Sequence, residues 1–128
     1  MRFDDRRSDR PRSRRWRDYR TAAGGRPVRD FIALLSDVEA AAILAQMKDV
    51  SLRGLAAAKH LRGELYELRA DTPTRSFRLL FALEGRRGQV LLSLSAFVKK
   101  TQKTPVRELE VAESRLLDWR RRGLAART

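Results

Sequence analysis

The stretch ELYELRADTPTRSFRLLFALEGRRGQVLLSLSAF, from Glu64 to Phe97, contains three apolar runs separated by two short polar segments. Within the runs, apolar and polar side chains largely alternate, which is typical of β-strands that have one face on a core. Gly, Pro, Asp and Thr in the segments between the runs favour turns. Short turns between consecutive strands predict an antiparallel meander. The predicted strands are Glu64–Arg69, Arg75–Leu83 and Gln89–Phe97.

Two helices are predicted before this stretch. Apolar residues recur at i, i+3, i+4 and i+7 from Val28 to Leu35, which indicates an amphipathic helix. Ser36 with Glu39 matches a capping box and predicts the start of a second helix, which Gly54 would end.

A third helix is predicted after the stretch. Thr104 is its expected N-cap, Pro105 its first residue and Gly123 its terminator. The predicted fold class is therefore α+β, with a small antiparallel sheet of three to four strands. Two N-terminal helices pack on one face, a C-terminal helix follows, and a short strand near Trp16–Thr21 would be the fourth strand.

The chain of 128 residues predicts a single domain, at residues 16–123. Residues 1–15 are rich in arginine without hydrophobic periodicity, so they predict a basic, disordered tail, and residues 124–128 predict a short C-terminal tail. No cysteine is present, which excludes disulfides and thiolate metal sites. Neither a membrane-spanning run nor an apolar N-terminal signal is visible, so a cytoplasmic protein that does not span a membrane is expected.

The net charge of +13 is the strongest compositional feature. Such a field attracts polyanions and accelerates encounter with them. Nucleic acid, an acidic protein partner and a membrane surface are the candidate partners, and the charge alone does not choose among them.

Alternation along the strands predicts which side chains share a face of the sheet. The face under the helices is expected to hold Tyr66, Leu68, Phe77, Leu79, Leu92 and Leu94. The opposite face is expected to hold Glu67, Arg69, Arg78, Ser93, Ser95 and Phe97. The basic loop, Phe97–Pro105, begins at the edge of that second face.

This second face and the basic loop could form a phosphate cradle. Arginine recognises a phosphodiester with two parallel hydrogen bonds, lysine adds a point charge, and Phe97 or Tyr66 could stack on a base. The alternative is a solvated sheet whose arginines pair with Glu64, Glu67 or Asp71.

Common catalytic constellations are missing from the sequence, because His60 is the single histidine and no cysteine nucleophile is available. An enzyme would have to act through Arg, Lys, Glu or Tyr. RNA cleavage can proceed in this way, since the 2′-OH is an internal nucleophile and the protein stabilises the charge on the phosphate.

Three motifs in this order resemble the RelE/ParE toxin superfamily, and more closely its HigB-like, phage-derived branch. They are Leu61-Arg62-Gly63 with Leu65–Arg69, then Phe77–Phe81, then Phe97–Pro105. The resemblance implies a RelE-like fold and a type II toxin that cleaves mRNA on the ribosome without a metal or other cofactor. It also implies neutralisation by a helix-turn-helix, HigA-like antitoxin, whose complex with the toxin binds operator DNA.

Carried over by motif, the residues that act on the scissile phosphate are Arg69, Arg78, Lys99 and Lys100. The predicted RNA-binding residues around them are Phe97, Thr101, Lys103, His60 and Tyr66. Phe77 stands where the superfamily usually has a tyrosine, and no histidine or tyrosine follows Tyr66. This departure leaves the proton-transfer groups unassigned.

Two other functions remain open at this point. The same fold serves ParE-like toxins that poison DNA gyrase. A non-enzymatic basic protein that binds nucleic acid through the tail and the basic loop is the second alternative.

Overall fold

The computed structural model describes residues 13–123, which form an α+β fold with a five-stranded sheet and three α-helices. The elements in chain order are β1 (Arg15–Asp18), α1 (Pro27–Ala33), α2 (Asp37–Arg53), a 3₁₀ turn (Gly54–Ala57), β2 (Lys59–Arg62), β3 (Leu65–Asp71), β4 (Ser76–Glu84), β5 (Val90–Lys99) and α3 (Val106–Arg121). No helix within these residues is long and apolar enough to cross a membrane.

The ends of the chain fall partly outside this description. Residues 1–12 of the predicted basic tail and the predicted tail at residues 124–128 lie outside the described residues. Arg14 and Arg15, which the sequence assigned to the tail, are part of the fold. The Arg14 N–H donates to the Ser51 carbonyl oxygen over 3.0 Å, and Arg15 is the first residue of β1.

The sheet has the strand order β1-β5-β4-β3-β2. Strands β2 to β5 form the predicted antiparallel meander, whereas β1 pairs in parallel with β5. The prediction of a purely antiparallel sheet with three to four strands was therefore wrong at both edges. A parallel neighbour needs a long connection, which the helices and the rest of the sheet supply between β1 and β5. Strand β2 has only four residues, too few for alternation to reveal it.

Both faces of the sheet are covered by helices. Helices α1 and α2 share a hydrophobic cluster with Leu68, Phe77 and Leu79 on one face. Helix α3 contributes Ala112, Leu116 and Trp119 to a second cluster on the other face. The second face is therefore not an open polar surface, and only its end remains accessible.

A β-bulge in β5 changes which of its side chains point to each face of the sheet. Leu80 pairs with Ser95 and Phe81 pairs with Ser93, so Leu94 is an extra residue on β5. Leu92 and Leu94 consequently pack against α3, although simple alternation placed them under α1 and α2. Ser93, which alternation placed on the face opposite α1 and α2, instead borders a pocket together with residues of these two helices.

The N-termini of α2 and α3 show whether the two predicted N-caps are correct. The capping box of α2 is confirmed, because Ser36 and Glu39 exchange the two expected hydrogen bonds at 3.2 Å each. The predicted cap of α3 was wrong. Pro105 is the N-cap residue, and the hydroxyl of Thr104 donates instead to Glu67 on β3 over 2.5 Å.

Candidate functional site

A polar cleft of about 820 Å³ lies where β3 and β5 end and β4 begins. The end of α2 and the 3₁₀ turn form one wall, the three strands form the floor, and the basic loop forms the other wall. Of the residues that the structure describes, six cationic side chains and one carboxylate line the cleft: Arg53, Lys59, Arg69, Arg78, Lys99, Lys100 and Glu67. This charge balance suits an anion.

Strand register explains why these side chains meet. Arg69 on β3 pairs with Arg78 on β4, and Arg78 pairs in turn with Phe97 on β5. Lys99 lies two residues beyond Phe97, so alternation returns it to the same face. The structure therefore brings together Arg69, Arg78, Lys99 and Lys100, the group predicted from the sequence.

Arg78 lies at the floor of the cleft and is only 6% exposed. Its Nε lies 3.6 Å from Glu67 Oε1, and its Nη1 lies 3.6 Å from Asp71 Oδ1. Both separations are longer than the distance between donor and acceptor in a hydrogen bond. Among the described residues, its guanidinium donates only to the Phe77 carbonyl oxygen, over 2.9 Å. Several donors of this buried cation therefore have no acceptor at hydrogen-bonding distance in residues 13–123, and they could bind an anion in the cleft.

Lys99 is partly buried beside Arg78. Burial, followed by the positive charge of Arg78, lowers the pKa of the Lys99 ammonium. The charge of Glu67 opposes this lowering, while Arg69 and Lys59 contribute to it. Within residues 13–123, neither Lys99 nor the exposed Lys100 has a carboxylate within 4.0 Å. Two lysines next to a buried arginine therefore offer point charges to a phosphate.

The predicted RNA-binding residues are divided by the fold. Thr101 lines the cleft and donates to the Lys103 carbonyl oxygen over 2.8 Å, but the Lys103 side chain does not line it. Phe97 is 8% exposed and packs in the core under α3, so little of its ring could stack on a base.

His60 and Tyr66 do not join the cleft either. They pair across β2 and β3, while Lys59 pairs with Glu67 one position away, so alternation directs the two pairs to opposite faces. Tyr66 packs with Phe81 on the side of α1 and α2, and His60 Nε2 lies 2.9 Å from the Gly63 carbonyl oxygen.

Three charged residues among those that line the cleft, Arg53, Lys59 and Glu67, were not among the predicted site residues. Glu67 was assigned to the correct face but only as a possible partner for arginine. Neither Lys59 nor Arg53 was assigned a role from the sequence. Helix α2 carries Arg53 to the cleft rim through tertiary packing, for which the sequence has no local signal. Residues 13–123 contain no group of three or more His, Asp or Glu residues positioned to hold a metal ion.

Comparison with known proteins supplies the family. The model of the phage-derived Gp49-like proteins matches residues 30–117, which include every residue that lines the cleft. Proteins named "Probable endoribonuclease HigB1" from two strains of Mycobacterium tuberculosis, CDC 1551 / Oshkosh and ATCC 25618 / H37Rv, are 37% identical to this chain over 109 residues. The alignment covers 83% of this chain and 85% of each relative.

Proposed function

Because this chain belongs to the family of phage-derived Gp49-like proteins, we propose that it is a type II toxin that cleaves mRNA as an endoribonuclease. The relatives named as probable endoribonucleases support the activity. The observation that carries the proposal is Arg78, a buried arginine at the floor of a cationic cleft, which has no hydrogen-bonded carboxylate within the described part of the chain.

The cleft suits a reaction in which RNA supplies its own nucleophile. The 2′-OH attacks the adjacent phosphorus, and the attacked phosphate gains negative charge. Arg69 and Arg78 bind its oxygens, and Lys99 and Lys100 add nearby charge. Electrostatic stabilisation of this kind is often the largest catalytic term, and losing one donor costs about 10²–10³ in rate. The step requires no metal, because the arginines perform the charge stabilisation.

The partners belong to the same proposal. The message is cut on the translating ribosome, so the toxin works in the cytoplasm. A helix-turn-helix antitoxin of the HigA kind neutralises it, and their complex binds operator DNA. The excess of positive charge supports both kinds of partner, since it attracts RNA and acidic protein segments alike.

Expression of the protein in growing cells, followed by mapping of mRNA 5′ ends, tests the proposal. We expect new ends in translated messages, in phase with codons. Replacing Arg78 and Lys99 together by alanine should abolish the cuts while a circular-dichroism spectrum confirms that the fold persists. Lys48→Ala, which removes an exposed cation on α2 outside the cleft, is the control and should cut normally.

Three outcomes would contradict the proposal. Full cutting by the double variant would exclude this cleft as the site. Intact messages with broken or unreplicated DNA would indicate a gyrase poison. Tight RNA binding without any cut would indicate a non-enzymatic binding protein.

A further inference from the structure

Among residues 13–123, Glu67 is the one carboxylate that lines the cationic cleft, and the phosphate-binding role of the cleft does not explain it. A buried carboxylate repels a phosphate, so an anion site would bind more tightly without it. Glu67 is 7% exposed and lies too far from Arg78 for a hydrogen bond. It is therefore not placed as an optimal ion-pair partner of that arginine.

The two oxygens of Glu67 have different surroundings. Oε2 accepts a hydrogen bond of 2.5 Å from the Thr104 hydroxyl. Oε1 accepts no hydrogen bond from the described residues, and its nearest cationic atom is Arg78 Nε at 3.6 Å. One oxygen is thus held while the other remains available to accept a proton in the cleft.

The sheet sets Glu67 and Lys99 on opposite sides of Arg78. Strand β4 lies between β3 and β5, so the outer strands are about 10 Å apart. Along the strands, Glu67 is level with Leu80 and Lys99 is level with Ser76, two residues to either side of Arg78. A phosphate bound at Arg78 would have a carboxylate toward one side and an ammonium toward the other.

We propose that Glu67 is the general base and Lys99 the general acid of the RNA cleavage, an inference that rests on the proposed function. Glu67 takes the proton from the 2′-OH, and the 2′-oxygen forms a bond to phosphorus. The bond from phosphorus to the 5′-oxygen breaks, and Lys99 donates a proton to that oxygen. The products are a 2′,3′-cyclic phosphate and a 5′-hydroxyl, so protons and electrons balance.

The arrangement fits an in-line displacement, in which the attacking and leaving oxygens lie on opposite sides of phosphorus. The lowered pKa of Lys99 makes its ammonium a stronger acid than an ordinary lysine. The charged groups that line the cleft around the pair are Lys59 on β2, Arg69 on β3, Arg78 on β4, and Arg53 and Lys100 on the walls. Asp71 on β3 lies 3.6 Å from Arg78.

Glu67→Gln tests the base, with Glu64→Gln as the control because Glu64 is an exposed carboxylate paired with Arg120 outside the cleft. Two quantities are measured on programmed ribosomes: the single-turnover cleavage rate of a labelled message, and the affinity for the same message with a 2′-deoxynucleotide at the cut site. We expect Glu67→Gln to slow cleavage by about 100-fold or more, while its affinity for the deoxy message stays equal or increases.

The pH profile gives a second readout. If Glu67 is the base, the pH–rate profile of the wild type should have an acidic limb that the Glu67→Gln variant lacks. A cleavage rate within about threefold of wild type would overturn the base assignment, because general base catalysis contributes far more than that. An equal loss of rate and of deoxy-message affinity would overturn it as well, since it would indicate a binding role.

Lys99→Met tests the acid through the leaving group. Replacing the leaving 5′-oxygen by sulfur creates a thiolate, which leaves without a proton because a thiol has a pKa near 8.5. We expect Lys99→Met to lose much more rate on the ordinary message than on the sulfur-substituted message, because only the ordinary leaving group needs the proton. Equal defects on both messages would overturn the acid assignment. Absence of cleavage by the wild type would contradict the proposed function itself, which distinguishes the two failures.

Discussion

Arg69 on β3 and Arg78 on β4 are direct register partners, so two positive side chains lie opposite each other in the sheet. Like charges in this arrangement destabilise an antiparallel pair. Their surroundings differ, because Arg78 is 6% exposed whereas the Arg69 side chain is 68% exposed and 3.9 Å from Asp71. The repulsion serves no purpose in the folded protein alone, but a bound polyanion would relieve it.

Arg69→Thr should therefore separate stability from function. We expect the free energy of unfolding to stay unchanged or to rise by up to about 1 kcal/mol, because threonine suits a strand and the repulsion is removed. RNA affinity and toxicity should fall. Urea denaturation and filter binding measure the two effects, with Arg86→Thr in the exposed β4–β5 hairpin as the control. A large loss of stability would show that Arg69 is mainly structural.

Lys100→Gln should weaken RNA binding through charge alone. Each phosphate contact to a single strand contributes about 0.7 to the slope of log affinity against log salt concentration. Losing the contact at Lys100 should reduce the slope by about 0.7 and weaken all sequences to the same extent. Filter binding from low to moderate salt measures it, and Lys48→Gln should leave the slope unchanged. An unchanged slope in Lys100→Gln would remove this lysine from the interface.

Glu39 should make the fold sensitive to acid. Its carboxylate accepts two hydrogen bonds from Arg75, at 2.8 and 3.0 Å, and also caps α2. The Arg75 guanidinium, followed by the Ser36 backbone, lowers the pKa of Glu39 from 4.5 to about 2. A carboxylate with a lowered folded pKa stabilises the protein above its unfolded pKa, and this contribution is lost as the pH falls.

Glu39→Gln should consequently be less stable than wild type at neutral pH, and the difference should shrink as the pH falls from about 4.5 to about 2. Urea denaturation of both proteins across this pH range measures the difference in their free energies of unfolding. The titration of the other carboxylates is common to both proteins and therefore cancels in this difference. A difference that is constant with pH would show that the ion pair does not stabilise the fold.

Trp119 should tolerate phenylalanine but not alanine. It is fully buried between α3 and the sheet, and its Nε1 has no hydrogen-bond partner among the described residues. Phenylalanine removes the unpaired N–H, whose burial costs about 1–3 kcal/mol, and this gain offsets the smaller ring. We expect Trp119→Phe to change the free energy of unfolding by less than about 1 kcal/mol and Trp119→Ala to lower it by about 3–5 kcal/mol. A loss above about 2 kcal/mol in Trp119→Phe would indicate that packing of the full indole dominates.

The parts of the fold that local patterns specify were predictable. Helical spacing and the Ser36 capping box located α1 and α2, and turn residues located the β3–β4 and β4–β5 hairpins. The proximity of Arg69, Arg78 and Lys99 was predictable from alternation along the strands and from the short turns between them. Such turns set the register of antiparallel strands.

The features that depend on tertiary packing were not predictable. The bulge at Leu94 interrupts an almost continuous apolar run, in which either face could be buried, so simple alternation misplaced Leu92. Phe97 is buried because α3 packs over it, and the sequence did not show where that helix would lie. The Thr104 hydroxyl could either cap α3 or donate a hydrogen bond to Glu67. It bonds Glu67 because of where β3 lies in the folded protein, which the sequence does not show.

Thr104 should therefore act as a positioning residue for Glu67. Its hydroxyl fixes one carboxylate oxygen and fastens the end of the basic loop to β3. Thr104→Val keeps the shape and removes the donor, so we expect the single-turnover cleavage rate to fall by about tenfold, the equivalent of one hydrogen bond. Affinity for the 2′-deoxy message should remain unchanged, because valine leaves the cationic residues in place.

Two matched variants make this prediction specific. Thr104→Ser retains the hydroxyl and should restore most of the rate, whereas Thr74→Val, in the exposed β3–β4 turn, should have no effect on it. If Thr104→Val and Thr104→Ser lose the same rate, the side-chain volume rather than the hydrogen bond is responsible. If Thr104→Val loses affinity together with rate, the threonine holds the loop for RNA binding and does not position the carboxylate.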